Sequence, residues 1–375
     1  MKKMITLFLC GALLCAVASA SLASASAVDV TAKSAILTSA EGRVLFEKNA
    51  DEKRPIASMT KIMTLNCIYD AVAEGKISLR DEVVVSRRAA SMGGSQVFLE
   101  ANGKYKAEDL VKSIIICSAN DSCVAMAEHV CGSVEAFVKL MNQKAKDLQM
   151  RGTHFENCTG LPNVSQYSCA RDVAAMLAEL ITHPHYFTCA KVWTEDFHHP
   201  GGRVTGMTNT NKLVRFYDGC DGGKTGFTNE AMHCLAATAK RGDTRVISVV
   251  VGASDSKTRF AETSRLFDYA FANYNNNVYL NCAEQVDVNV TGGRQSQVAC
   301  RAKTNLAAFE EKGKRGCTLQ WEIPESVKAP LSQGDVVGEV KLLDEKGDVI
   351  AQTEVVACHD VQAKSFWDYI KEIVG

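Results

Sequence analysis

PIASMTKIMT, residues 55–64, sets a serine and a lysine three positions apart, Ser58 and Lys61, in a stretch that is otherwise small or apolar. The stretch follows Pro55 and carries apolar residues at helical period, with Ile62, Leu65 and Tyr69 on one side, so it predicts a helix from Ser58 to about Asp70. At such a start the i, i+3 spacing puts hydroxyl and amine on one face, within reach of each other. A helix N-terminus offers free backbone N–H groups and a positive dipole end, which suit an oxyanion forming beside the serine. A lysine among apolar side chains loses its charge more readily, because desolvation disfavours the ammonium, and can then act as base toward the hydroxyl. A second pair at this spacing, Ser254 and Lys257, lies in the polar turn SDSKT and reads as surface.

The chain has 375 residues, with 42 basic against 43 acidic side chains and a formal net charge of −1. That balance gives no footprint for nucleic acid or another polyanion. Its first residues, MKKMITLFLCGALLCAVASA, combine a basic start, an apolar run and Ala-x-Ala exits, the pattern of a secretory signal peptide over residues 1–27. The mature protein is expected to be exported, to the periplasm or the outer face of the bacterial cytoplasmic membrane. Of 15 cysteines, 13 remain once Cys10 and Cys15 leave with the signal, and no Cys-x-x-Cys suggests a metal. They read either as small buried hydrophobes or, for Cys282, Cys300, Cys317 and Cys358, as two bridges.

Ala32–Ser39, a Glu41-Gly42 turn and Arg43–Lys48 predict a hairpin. Helices are predicted at 108–117, 121–130, 134–149, 170–182 and 258–273, and two strands, HCLAATAKR and TRVISVVVGA, meet at Gly242-Asp243. This mixture predicts an α+β catalytic domain over residues 28–275, an antiparallel sheet flanked by helices. The asparagine run 275–277 reads as its boundary. Beyond it, alternating segments between Gly-containing turns predict a small all-β domain over 276–360. Residues 361–375 are predicted to form an amphipathic tail helix with Phe366, Ile370, Ile373 and Val374 on one stripe and Trp367 and Tyr369 beside it. The flanking aromatics suit peripheral contact with a membrane interface; docking on the β domain or a partner is the alternative.

Two further elements join the serine–lysine pair. Ser118-Ala119-Asn120 is the only Ser-x-Asn in the chain and interrupts two apolar helices; Lys224-Thr225-Gly226 is the only Lys-Thr-Gly and opens a strand-like stretch. Alone, each reads as a helix cap or a solvated strand end. In this order, with 60 residues from Ser58 to Ser118 and 106 from Ser118 to Lys224, the trio is the signature of penicillin-recognising serine enzymes. The chain resembles the low-molecular-mass penicillin-binding proteins that act as D-alanyl-D-alanine carboxypeptidases. The likeness extends to MGGSQVFLE at 92–100, GTHFENCTGLPN at 152–163, GGKTGFT at 222–228 and TRFAETSRLFDYAF at 258–271. It implies a β-lactamase/transpeptidase-like catalytic domain followed by the β domain and tail.

The resemblance also implies an acyl transfer on a peptidoglycan stem peptide, with β-lactam antibiotics as covalent inhibitors and no cofactor or metal. Ser58 would attack the carbonyl between two terminal D-alanines and Lys61 would take its proton. Ser118, with Lys224, would relay that proton to the leaving D-alanine, and Asn120 would hold the substrate amide and Lys61. Lys224 and Thr225 would bind the terminal carboxylate, and Gly226 would let the substrate lie against the strand. The oxyanion would sit between the backbone N–H groups of Ser58 and Phe227. Phe227 stands where some members carry histidine and Ala119 where glycine is often seen; activity is expected to survive both, the former with an altered pH profile or drug sensitivity.

A β-lactamase shares the trio but needs a deacylating glutamate, and Glu156, Glu179 and Glu195 sit in contexts that match carboxypeptidase segments. A DD-endopeptidase shares every catalytic residue, and a non-catalytic wall-binding protein would share the fold. His183, His185, His198 and His199 read as surface or packing histidines rather than a metal cluster. Sequons at Asn157, Asn163 and Asn289 carry little weight.

Overall fold

The computed structural model describes residues 28–374. The signal-peptide reading of residues 1–27 therefore lies outside the described residues. The predicted hairpin forms from strands Ser34–Ser39 and Val44–Lys48, with Ala35 opposite Lys48. It joins an antiparallel five-stranded sheet in the order Val44–Lys48, Ser34–Ser39, Thr244–Ala253, Met232–Arg241, Cys220–Thr228. Both faces of this sheet are covered, so its central strands are apolar on both sides. Ile36, Val249 and Val251 face a helical core with Ile62, Leu110 and Leu177. Their neighbours Leu37 and Val250 face Leu266 and Phe267 of the long helix Ser256–Asn273.

The helical layer contains Lys61–Ala73, Ala107–Ile116, Asn120–Cys131, Val134–Asp147 and Ala170–Leu180. The helix expected to start at Ser58 begins differently: Ala57–Thr60 is a tighter 3-10 turn, and the α-helix proper starts at Lys61. Ala57 is held at φ 47°, a left-handed conformation in which a non-glycine residue stores strain.

The asparagine run is not the linker expected of it. Tyr274–Leu280 is a strand paired antiparallel with Leu306–Glu311. Asn276 also bonds back to the catalytic sheet, through its N–H to Thr244 Oγ1 at 2.9 Å. The side chains that looked like boundary polarity are spent on such contacts: Asn277 Nδ2 donates to Lys314 O at 2.9 Å. Beyond it, six strands form one sheet around Val288, Val298, Cys300, Val340, Leu342 and Val355.

All thirteen cysteines of the described residues are free, eight of them buried. The bridge reading for Cys282, Cys300, Cys317 and Cys358 is not met: Cys300 is sealed in the β-domain core, while the other three are only partly buried. The last helix, Phe366–Val374, leaves Phe366, Trp367, Tyr369 and Ile370 exposed, and Arg294 reaches Asp368 at 3.2 Å. Among the described residues no helix is long and apolar enough to cross a membrane.

Candidate active site

Ser58 lies in the 3-10 turn, and the first residue of the following helix is Lys61. The Lys61 amine lies within hydrogen-bond distance of Ser58 Oγ, at 3.1 Å, and donates to the Thr159 carbonyl at 2.6 Å. Its side chain is 0 % exposed, and burial pushes its pKa below the ordinary lysine value.

Ser118 and Asn120 occupy the break between the helices Ala107–Ile116 and Asn120–Cys131. Ser118 takes a left-handed φ of 67°. Asn120 is held by its N–H on Ser95 O and its Nδ2 on Gly93 O, both at 2.7 Å. Gly94, at φ 79°, must be glycine here, since a Cβ would stand 2.9 Å from Asn120 Nδ2. Two polar atoms are left over: Ser118 Oγ and Asn120 Oδ1 are buried without a partner. Buried atoms of this kind carry a desolvation penalty that a bound group or a moving proton relieves.

Lys224, Thr225, Gly226 and Phe227 lie on the sheet's outer strand, which packs against the Ser58 turn. Lys224 is 2 % exposed and, among the described residues, its amine donates only to the adjacent Thr225 O, at 3.1 Å. Burial lowers its pKa well below the ordinary value, and the Lys61 charge adds to the effect. At Gly226 any Cβ would stand 2.6 Å from Ile56 O and 3.3 Å from Ser58 N, so the missing side chain is what lets the strand approach the nucleophile. Phe227 is exposed, its ring 4.5 Å from that of His233 on the paired strand. A cavity of about 430 Å³ continues from this cleft, lined by Arg54, Ile56, Ala57, Gly160, Tyr167 and Thr228 among others. A larger hollow of about 630 Å³, near Arg43, Phe309 and Glu345, contains none of the motif residues.

Several supporting groups escaped sequence reasoning. The Asp121 carboxylate, fully buried, accepts from the N–H groups of Val97 and Leu99 and so pins residues 97–99 to the Ser-x-Asn break. Arg259 donates to Gly226 O at 3.1 Å and Cys234 O at 3.3 Å. Asn157 and Thr159 stand in the sequence as a sequon within the family-like segment 152–163, with no role in the site attached to either. An acidic residue directly after Ser-x-Asn was the one available signal, for Asp121.

Other candidates are occupied elsewhere. Ser254 Oγ bonds Asp255 Oδ2 at 3.0 Å. Glu156, Glu179 and Glu195 pair with His154, Lys144 and Lys112. His199 packs in the interior, 3.1 Å from the Tyr105 hydroxyl. Among the described residues, Asp70, Glu179 and His183 cluster as cation ligands would. The Lys144 ammonium already takes that place, at 2.9 Å from Asp70 and 2.6 Å from Glu179.

Residues 21–255 match the family model described as D-alanyl-D-alanine carboxypeptidase, and residues 276–363 match that of the penicillin-binding protein 5 C-terminal domain. The chain is 37 % identical over 384 residues to D-alanyl-D-alanine carboxypeptidase DacF of Bacillus subtilis, covering 100 % of this chain and 98 % of that one. It is 34 % identical to D-alanyl-D-alanine carboxypeptidase DacC of Escherichia coli, over 88 % of this chain and 85 % of the other. The solved structure of penicillin-binding protein 5 from Haemophilus influenzae superposes with a TM-score of 0.68 at 30 % identity, covering 89 % of this chain and 98 % of that one.

Proposed function

The chain belongs to the D-alanyl-D-alanine carboxypeptidase family, whose members act on cell-wall peptidoglycan, and from that premise we propose how its own residues divide the work. It is a serine-type carboxypeptidase of the penicillin-binding class. Ser58 Oγ attacks the carbonyl between the two terminal D-alanines of a stem pentapeptide. The neutral Lys61 amine takes the hydroxyl proton. The carbonyl oxygen gathers charge between the N–H groups of Ser58 and Phe227, which the side-chain-free Gly226 brings close. Ser118 Oγ, buried and unpartnered, passes the proton on to the departing D-alanine nitrogen. Lys224, with Thr225, holds the terminal carboxylate, whose negative charge favours the ammonium form of Lys224 once it is bound, while burial favours the neutral form of Lys61. Asn120 offers its unpartnered Oδ1 to the substrate amide, and water releases the acyl-enzyme; the contact expected between Asn120 and Lys61 is not made, because Nδ2 is held by Gly93 O. A β-lactam enters by the same attack and stays bound for want of a departing group.

The observation that carries this reading is the 3.1 Å contact between Ser58 Oγ and a lysine amine shielded from water. Membership of a family that acts on cell-wall peptidoglycan supports an extracytoplasmic enzyme, in the periplasm or on the outer face of the cytoplasmic membrane, which we divide into a catalytic domain over 28–275, a β domain over 276–360 and a tail over 361–375. The exposed Phe366, Trp367, Tyr369 and Ile370 support peripheral membrane contact through the tail.

The test is D-alanine release from a peptide ending in D-Ala-D-Ala by the protein from Val28 onward, beside Ser58→Ala. Release that vanishes in the variant is the expected result. Release that survives it would remove Ser58 as nucleophile; penicillin acylation without release would favour the endopeptidase alternative.

A further inference from the structure

We infer that Asn157 is a positioning residue for the reaction, acting by holding one peptide unit whose carbonyl aims the Lys61 amine. This rests on the reading of Lys61 as the base. A neutral amine has two N–H donors and one lone pair, so it can accept the Ser58 proton only if its donors are directed elsewhere. The Thr159 carbonyl, 2.6 Å away, takes one of them. That carbonyl belongs to the Thr159–Gly160 peptide, whose planarity ties the direction of its C=O to that of its N–H.

The N–H of this unit, on Gly160, donates to Asn157 Oδ1 at 2.7 Å. The same oxygen accepts from Thr159 N and from Thr159 Oγ1, each at 3.1 Å, while Asn157 Nδ2 reaches Leu161 O at 3.1 Å. One side chain therefore fixes the peptide on its N–H edge and leaves its C=O facing the amine. The chain has no slack to recover otherwise: Gly160 is at φ 80°, and its Cα is packed so closely on the Ala57 carbonyl and Ser58 N that a Cβ would overlap them. Asn157 touches no reacting atom, and it lies about 100 residues from the lysine that it orients.

The titratable and charged groups around Lys61 come from three other elements. Lys224 lies on the outer strand, Cys117, Cys123 and Asp121 at the Ser-x-Asn break and its helix, and Cys158 in the Asn157 loop itself. A carbonyl accepting from the amine favours its charged form, so releasing that carbonyl moves the Lys61 pKa down.

The test is the pH profile of kcat/KM for D-alanine release, normalised to sites that take up a penicillin, in wild type, Asn157→Ala, Asn157→Asp and Lys61→Met. Asn157→Ala is expected to lower the plateau per acylable site on the order of tenfold to a hundredfold and to move the acid limb to lower pH. Asn157→Asp keeps the acceptor and adds a negative charge, so it restores most of the plateau and moves the limb up. A merely structural role would reduce the number of acylable sites and leave plateau and limb unchanged, which overturns the inference. Activity surviving in Lys61→Met would overturn the base reading and this inference with it; a dead Lys61→Met beside an unmoved Asn157→Ala profile overturns only the latter.

Discussion

Lys61 and Lys224 bury their amines together behind Ser58, 0 % and 2 % exposed, and charge on Lys61 lowers the pKa of Lys224. Among the described residues neither amine is hydrogen-bonded to a carboxylate, so the site buries two ionisable groups that the fold alone would disfavour.

Stability should reveal this. With its pKa lowered in the folded state, Lys61 binds a proton more readily when unfolded, so its contribution to stability rises with pH from the lowered folded value up to 10.5 and is least favourable below that window. Lys61→Met is expected to raise stability at pH 7 by about 1–3 kcal/mol, to flatten the pH dependence of unfolding in that window and to abolish turnover. Thermal unfolding at several pH values checks it; an equally steep pH dependence in the variant would count against it.

Gly226→Ala sets a methyl group 2.6 Å from Ile56 O and 3.2 Å from Ala57 Cβ. Both neighbours belong to the strained turn that carries the nucleophile, so the strand must retreat from Ser58. Penicillin acylation is expected to slow roughly a hundredfold, with about 1–3 kcal/mol of lost stability. Stopped-flow acylation measures the first and urea unfolding the second; acylation within threefold of wild type, on the order of the error of additive packing effects, would show that the close approach is dispensable.

Asp121→Asn keeps the shape but turns an acceptor-only carboxylate into an amide facing the N–H groups of Val97 and Leu99. The expected loss is about 2–4 kcal/mol. Because residue 95 supplies the carbonyl that anchors Asn120 N at 2.7 Å, acylation should slow as well. Hydrogen exchange at residues 92–100 is the direct measurement, and unchanged protection there would refute the clamp.

Phe227→His tests which part of that residue matters. Only its backbone N–H is assigned to the oxyanion, so kcat/KM should stay within about fivefold while a new titration appears near pH 6–7 from the introduced imidazole. A hundredfold loss would mean that the Phe227 ring, packed at a tilt against His233, contributes to catalysis itself.

Much of the site could be read because its parts are local. Ser58 and Lys61 are one turn apart, Ser118 and Asn120 share a helix break, and Lys224 to Phe227 are consecutive. The supporting groups were hidden for the opposite reason. Arg259 reads as one more charge on a helix until its guanidinium meets Gly226 O, 33 residues away in sequence. Asn157 reads as a sequon until its oxygen is seen to hold the Thr159–Gly160 peptide.

By itself the sequence determined what short-range geometry dictates: the hairpin, the alternation that makes a β domain, the order of the three motifs and the family to which they belong. Only the tertiary structure decided that the asparagine run 275–277 is a paired strand, that the described cysteines stay unbridged and that Lys61 is dry and anchored on Thr159. These depend on contacts between segments tens to about a hundred residues apart. Composition and periodicity carry no record of such contacts, because their free energy exists only once the segments have packed together.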